Sequence, residues 1–426
     1  VCLDDEGVGI NRYYGSKRMM VEATSKISIC ETAIDYVCGY DNNYLLYFKS
    51  ELDVKRACKY YRTLSNVKHA VPDVLYSLPD NETIIFDQSE QVTEDIKSNA
   101  VKYLTGESTH KSWGASYMGV DDYWTGLDAK LNGINKNDVV VAVLDTGADM
   151  DHPSLASRMS SLPTGSSLTS KYDEDDLAKD DGANHGTHVS GTVIDLTKDN
   201  VKVLSINVFD WQQDSDGNWG LLGSMSMLGS AFSFLGTQTD LNVRVINLSL
   251  GSLYGNGSSA LVDMSIWRDR INDLNNKDIT VVAAAGNDST KLQAYDDNGV
   301  LLPTHIPADI DGFVSISSAY STNVNILDGS HIVDSENINE LAFSEAYSNY
   351  GQRIDFSAPG GKNTWHKFEY NGQSYESLPQ QLWEERGYGV GGVNEIKYYK
   401  TQEAYGTTYY AFIDCQIVST VIGGGY

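Results

Sequence analysis

From about Ser112 onward the apolar residues of this chain fall into short runs separated by amphipathic stretches. Val139 to Leu144 is a continuous, largely β-branched run, the pattern of a parallel strand buried on both faces. His185 to Leu196 reads as a helix, Val201 to Phe209 as a strand, and Gly223 to Leu235 as a helix rich in small residues. Val243 to Leu250 reads as a strand, Ser258 to Asn275 as a helix, and Ile279 to Ala285 and Gly312 to Ser318 as further strands. This alternation predicts an α/β fold, a parallel sheet with helices on both faces. Sites in such sheets lie at the strand C-termini. Asp145, Ser249 and Asn287 fall at or just beyond predicted strand ends.

The first part of the chain has a different rhythm. Residues 16–78 read as a small α+β unit, after an extension over 1–15. Arg18 to Ala23 is a short strand. Ala33 to Tyr40 and Tyr44 to Lys49 flank the turn cluster Asp41-Asn42-Asn43, so they read as a hairpin. Glu51 to Leu64 is a helix with Ser50 as its N-cap; Val54, Ala57, Cys58 and Tyr61 share one face. Val67 to Leu78 returns as an extended segment, and Pro72 inside it argues for an edge strand or one that leaves its sheet. Residues 79–108 are polar and read as a linker with a short helix near Val92 to Leu104. Such a linker is where processing would occur. The large domain then occupies 109–426.

Composition narrows the function classes. The chain has 426 residues, 41% hydrophobic, with a formal net charge of -27. That is enough chain for a large core and more than one domain. The acidic balance argues against nucleic acid, whose binding needs a basic face. It fits a soluble extracellular protein. No run approaches the ~18 apolar residues of a membrane span. The N-terminus carries neither Met nor a signal-like core, so a processed form or a fragment is expected. Cys2, Cys30, Cys38, Cys58 and Cys415 show no metal-ligand spacing. They read as single buried thiols, with one bridge among Cys30, Cys38 and Cys58 as the alternative.

Four stretches carry candidate chemistry. Asp145-Thr146-Gly147 ends the first strong strand, and His185-Gly186-Thr187-His188 opens a helix. A carboxylate that holds one nitrogen of an imidazole leaves the other free to accept a proton from a nucleophile. Asp145 suits the orienting role and His185 the base; His188 reads as a packed structural histidine. In Ala284-Ala285-Gly286-Asn287 the Asn amide can donate to a developing oxyanion. Ser249-Leu250-Gly251 resembles an exposed strand end to which an extended peptide could add. Taken singly, each is as well explained by an ordinary turn.

Taken in order, these stretches resemble the subtilisin-like serine peptidases, the subtilase family, whose Asp, His, Ser order is well known. Val143-Leu144-Asp145-Thr146-Gly147 matches the aspartate motif and His185 to Gly191 the histidine motif. Ala284 to Asn287 matches the oxyanion motif, and Ser249 to Gly251 the substrate-lining strand. Phe356 to Gly360 matches a downstream segment, and Val418-Ser419-Thr420 with Gly423 to Tyr426 the lead-in to the serine motif. The resemblance covers residues 110–426. It implies a subtilisin-like catalytic domain, a serine endopeptidase acting on polypeptides, and a secreted or cell-surface location. The N-terminal unit resembles the family's ferredoxin-like propeptide, an intramolecular inhibitor whose tail lies in the substrate cleft.

The sequence departs from that pattern in three places. The Gly-Thr-Ser of the nucleophile does not occur, so the serine is expected beyond Tyr426 and the fragment itself to be inactive. The other reading is a non-catalytic relative that binds peptides or acts as a scaffold. An aspartic protease would need two paired carboxylates, and only one Asp-Thr-Gly is present. Calcium, the cofactor the resemblance allows, is weakened as an expectation by Ser154 at a usual ligand position and by the short segment Thr192 to Asn200. Acidic loops at Asp173 to Asp181, or Asp210 with Asp214 and Asp216, could hold it instead. Residues 362–414 form a Tyr-rich, β-prone insertion.

Overall fold

The computed structural model describes residues 14–38, 42–78, 114–115, 118–130, 138–178, 181–213, 217–254, 265–292, 304–321, 326–328, 331–332, 341–343, 347–360, 368–370, 373–375, 402–404 and 407–409. The helix expected near 92–104 and the segment 418–426 lie outside them.

The N-terminal unit runs β1 (Tyr14–Ala23), β2 (Asp35–Cys38), β3 (Asn43–Tyr47), α1 (Glu51–Tyr61) and β4 (Val67–Ser77). Its strands pair antiparallel in the order β2-β3-β1-β4. Ser50 is extended, and its hydroxyl accepts the Asp53 N–H at 3.3 Å, which starts α1. Val54, Ala57, Cys58 and Tyr61 are buried, the one-sided pattern expected of a helix on a sheet. The Tyr61 hydroxyl donates to the Ser28 carbonyl at 3.0 Å and so keeps its buried polar end bonded. The bridge considered among the cysteines is not formed. Cys30, Cys38 and Cys58 are thiols. Cys58 is buried, while Cys38 is exposed because β2 is an edge strand.

Short strands β10 (Ser252–Tyr254), β12 (Lys291–Leu292) and β13 (Thr304–Ile306) flank the main strands of the large unit, which are β5 (Val139–Asp145), β6 (Val201–Asn207), β9 (Val243–Leu248), β11 (Thr280–Ala284) and β14 (Val314–Ser321). They pair parallel in the order β6-β5-β9-β11-β14. Phe356–Pro359 lies parallel along β14, and Leu341–Phe343 antiparallel to its end. The helices are α2 (Val120–Lys130), α3 (His185–Asp195), α4 (Met225–Thr237) and α5 (Ser265–Asn275). No helix among the described residues is long and apolar enough to cross a membrane.

Two expectations need correction. The strand expected over Val201 to Phe209 breaks at Val208 into β6 and β7 (Phe209–Gln213). There the Asn207 side chain accepts the Phe209 N–H at 2.9 Å and turns the chain. The helix expected from Gly223 begins instead at Met225. Trp219–Ser224 is a strand, β8, pairing with β7, and Ser224 is the helix N-cap. Helix α2 was not foreseen. None of its residues is buried, so it carries no apolar stripe to read.

The N-terminal sheet does not stop at its own edge. The last residues of β4 pair with β8 (Leu75↔Ser224, Tyr76↔Gly223, Ser77↔Leu222), giving the sheet β2-β3-β1-β4-β8-β7. Pro72 pairs with Met19 of β1 at the edge of the N-terminal sheet, and β4 takes β8 as a second partner from Leu75 onward. Three polar contacts hold the same face. Asp73, fully buried, accepts the Ser226 N–H and hydroxyl, each at 2.9 Å, and pairs with Arg18 at 3.2 Å. A carboxylate from one unit therefore caps a helix of the other, at its positive end. Glu22 meets Arg270 at 3.1 Å, and His69 meets Asp269 at 3.0 Å, both on α5.

Candidate active site

Asp145 ends β5 with its carboxylate fully buried. His185 Nδ1 lies 2.9 and 3.0 Å from its two oxygens. A carboxylate only accepts, so Nδ1 carries the hydrogen and Nε2 keeps its lone pair. The Thr146 N–H also donates to Asp145, at 2.8 Å, and fixes the carboxylate plane. Burial pushes the His185 imidazolium down, but the charge and hydrogen bond of Asp145 outweigh it, and the net shift is upward. The side chain is 18% exposed, enough to meet a substrate.

The two motifs interlock through their small and hydroxyl residues. A Cβ on Gly186 would lie 2.1 Å from the Gly147 carbonyl oxygen, so only glycine allows this approach. Gly147 itself has φ +85° and faces the Lys171 carbonyl. The Thr146 hydroxyl accepts the Gly186 N–H and donates to the Ala183 carbonyl, both at 2.9 Å. The Thr187 hydroxyl accepts the Asp149 N–H at 3.0 Å. His188, one turn into α3, is held near a pKa of about 4 by burial and by the charge of His185. It is neutral near pH 7.

β9 and β11 bring the other candidates to the same end of the sheet. Ser249 and Asn287 are half-buried, and Gly251 is buried. Leu250 points into the core, so this segment offers backbone rather than side chain at that position. Gly251 exchanges both backbone hydrogen bonds with Ser77, at 3.3 and 3.4 Å. Ser77 also pairs with Leu222 on its other side. The tail of the N-terminal unit is therefore the middle strand between 222–224 and 251.

Asn287 sits on a bend whose geometry is set from below. Asn349, fully buried, donates to the Ala285 carbonyl at 2.8 Å, and its side-chain oxygen accepts the N–H of Asp288 (3.0 Å) and Thr290 (2.9 Å). Its own N–H donates to the Gly286 carbonyl at 2.9 Å. His305 fills the gap between the two strand ends. A Cβ on Gly251 would lie 2.2 Å from its ring, and one on Gly286 2.4 Å. Neither Asn349 nor His305 was foreseen. Both sit outside the motif that they support, and no local pattern marks them.

Among the described residues, no three His, Cys, Asp or Glu gather as a metal site. Asp173 caps the single helical turn Glu174–Leu177, and Glu174 pairs with Lys171 at 2.7 Å; Asp214 and Asp216 lie outside the described residues. The loop after α3 does form an oxygen cage. Its occupant is the Arg158 guanidinium, which donates to the carbonyls of Ile194 (2.8 Å), Thr197 (2.8 Å), Lys198 (2.6 Å) and Val201 (2.8 Å), and to the Thr197 hydroxyl (2.6 Å).

The subtilase family model matches residues 136–400. Thermitase from Thermoactinomyces vulgaris is 24% identical over 56% of this chain and 67% of its own length. A thermostable alkaline protease from Halalkalibacterium halodurans is 26% identical, over 62% and 57% respectively. Halolysin from Haloferax mediterranei is 27% identical, over 69% and 52%. The matches thus span from about half to two thirds of these relatives. With a family match over more than half of its residues, and the aspartate and histidine motifs of that family in direct contact, this chain belongs to the subtilases.

Proposed function

We propose that the protein is a serine endopeptidase made as a proenzyme. The carrying observation is the Asp145–His185 pair, 2.9 Å apart at the C-terminal end of a parallel sheet. In this reading Asp145 fixes the tautomer, and His185 Nε2 takes the proton of a serine as its oxygen attacks the scissile carbonyl. The Asn287 amide receives the oxyanion, and His185 returns the proton to the leaving amine. Water then hydrolyses the acyl-enzyme by the same base. The reading requires a serine nucleophile in the complete protein; without one a chain turns over nothing at an enzymic rate. Polypeptides are the substrates, and the setting is extracellular or at the cell surface.

The N-terminal unit is the inhibitor in this reading. Ser77 lies as an added strand between Leu222 and Gly251, the way an extended peptide binds a sheet edge. Cleavage within 79–108 would separate it from the domain over 109–426. The test is hydrolysis of an unfolded polypeptide by the full-length protein, before and after that cleavage. A rise on release of the N-terminal unit supports the proposal. Equal rates overturn the inhibitor, and no hydrolysis at either stage overturns the peptidase.

Calcium belongs to this proposal only negatively. The carbonyl set after α3 would suit a hard cation, but a guanidinium satisfies it, so the residues do not fit a metal there. Burial lowers the Arg158 pKa, yet an arginine stays charged in proteins. Arg158→Met should cost about 3 kcal/mol, because four carbonyls lose their donors. An unfolding midpoint unchanged in Arg158→Met would contradict this.

A further inference from the structure

The residues on both sides of Asn287 are tied to one short segment, Tyr347 to Tyr350. Before Asn287, the Ala285 carbonyl accepts from the Asn349 side chain at 2.8 Å, and the Gly286 carbonyl from the Asn349 N–H at 2.9 Å. After it, the N–H groups of Asp288 and Thr290 donate to the Asn349 side-chain oxygen, at 3.0 and 2.9 Å. The Ser289 N–H donates to the Tyr347 carbonyl at 2.7 Å, and the Thr290 carbonyl accepts the Tyr350 N–H at 3.0 Å. Ser289 has φ +49°, a left-handed conformation that a residue with a Cβ keeps only where its surroundings enforce it.

The centre of this set demands an amide. Asn349 is fully buried. Its side-chain nitrogen donates twice, to the Ala285 carbonyl and to Asp288 Oδ2 at 3.0 Å, while its oxygen accepts twice. Among neutral side chains only a carboxamide has two such donors beside an oxygen that can accept two bonds. The packing leaves no slack either: a Cβ on Gly286 would lie 2.5 Å from the Asn349 nitrogen. A surface turn needs no such tie, since water can serve its polar groups, and Asp288 and Ser289 are exposed. What the tie fixes is the residue in the middle. An oxyanion donor has to stand about 2.7–3.1 Å from the oxygen that gains charge.

We infer that Asn349 is a positioning residue of the reaction: from beneath the bend it sets where the Asn287 amide stands when the oxyanion forms. This rests on the peptidase reading, in which Asn287 receives that oxyanion.

A double-mutant cycle in the full-length protein, with kcat and KM measured on one peptide substrate, tests it. Asn349→Ala should lower kcat about 10²-fold, as a misplacement of about 1 Å can, with KM little changed. In an Asn287→Ala background the same substitution should lower kcat by less than about twofold, because the group it positions is gone. A merely structural loss would cost the same factor in both backgrounds, and that result overturns the inference, as does an unchanged kcat in Asn349→Ala. Asp288→Ala removes one partner of the Asn349 amide at a side chain only 32% exposed. It should give a smaller fall that also disappears without Asn287, and it decides the case where Asn349→Ala does not fold. Cleavage with equal losses in both backgrounds removes the positioning role alone. Absence of both cleavage and fluorophosphonate labelling removes the peptidase reading, and the positioning role with it.

Discussion

Asp145 and Asp73 are both fully buried carboxylates, and both accept a backbone N–H. They are spent on opposite tasks. Asp145 faces a titratable partner, His185, whose ring still reaches solvent. Asp73 faces a permanent cation, Arg18, and the first turn of α4. Burial pushes the Asp73 carboxyl up, against the downward pull of Arg18 and Ser226. The first arrangement leaves one ring nitrogen uncommitted and can do chemistry. The second commits every partner and can only hold two units together.

The largest effect is expected at Asp145. Asp145→Asn leaves the shape but releases the tautomer, and kcat in the full-length protein should fall about 10⁴-fold with a small change in KM. Asn287→Ala removes the amide proposed to receive the oxyanion; kcat should drop about 10²–10³-fold. Asp73→Ala leaves the start of α4 uncapped and Arg18 unpaired. The full chain should lose about 3 kcal/mol, read as an earlier unfolding midpoint and faster hydrogen exchange in the first turn of α4. The catalytic pair should be unaffected by it.

A pH series sharpens the contrast. The folded-state pKa of His185 is raised above its unfolded value of about 6.5. The protonated pair therefore adds stability that is fully present below that unfolded value. This contribution is lost as pH rises through the folded one. Activity runs the other way, because only neutral His185 accepts a proton. The kcat/KM should climb about tenfold per pH unit until His185 titrates. Asp145→Asn should move that inflection downward; an unmoved inflection would mean that another group sets it.

These two sites were also unequally legible in the sequence. Asp145 and His185 stand in motifs whose small residues exist for local reasons. Gly186 admits the Gly147 carbonyl, and the Thr146 hydroxyl ties the two motifs into one hydrogen-bond set. Helix α1 was readable down to Ser50 and its buried face, because capping and periodicity are local. The docking of Asp73 on Ser226, and of Tyr76 on Gly223, joins residues about 150 apart that carry no pattern. The β7–β8 hairpin was hidden for the same reason. Its strand β8 runs directly into a helix, and the cap at Ser224, not the apolar pattern, sets the boundary. Asn349 shows the limit most plainly. It braces the bend at Asn287 from more than 60 positions away.

In the proposed mechanism Asp145 and His185 activate a serine. The most direct measurement is labelling of the full-length protein with a fluorophosphonate, followed by identification of the modified residue. The account predicts one modified serine, with labelling lost in His185→Ala and slowed in Asp145→Asn. A protein that folds, as judged by its unfolding transition, yet takes no label, or takes it equally in His185→Ala, would contradict it.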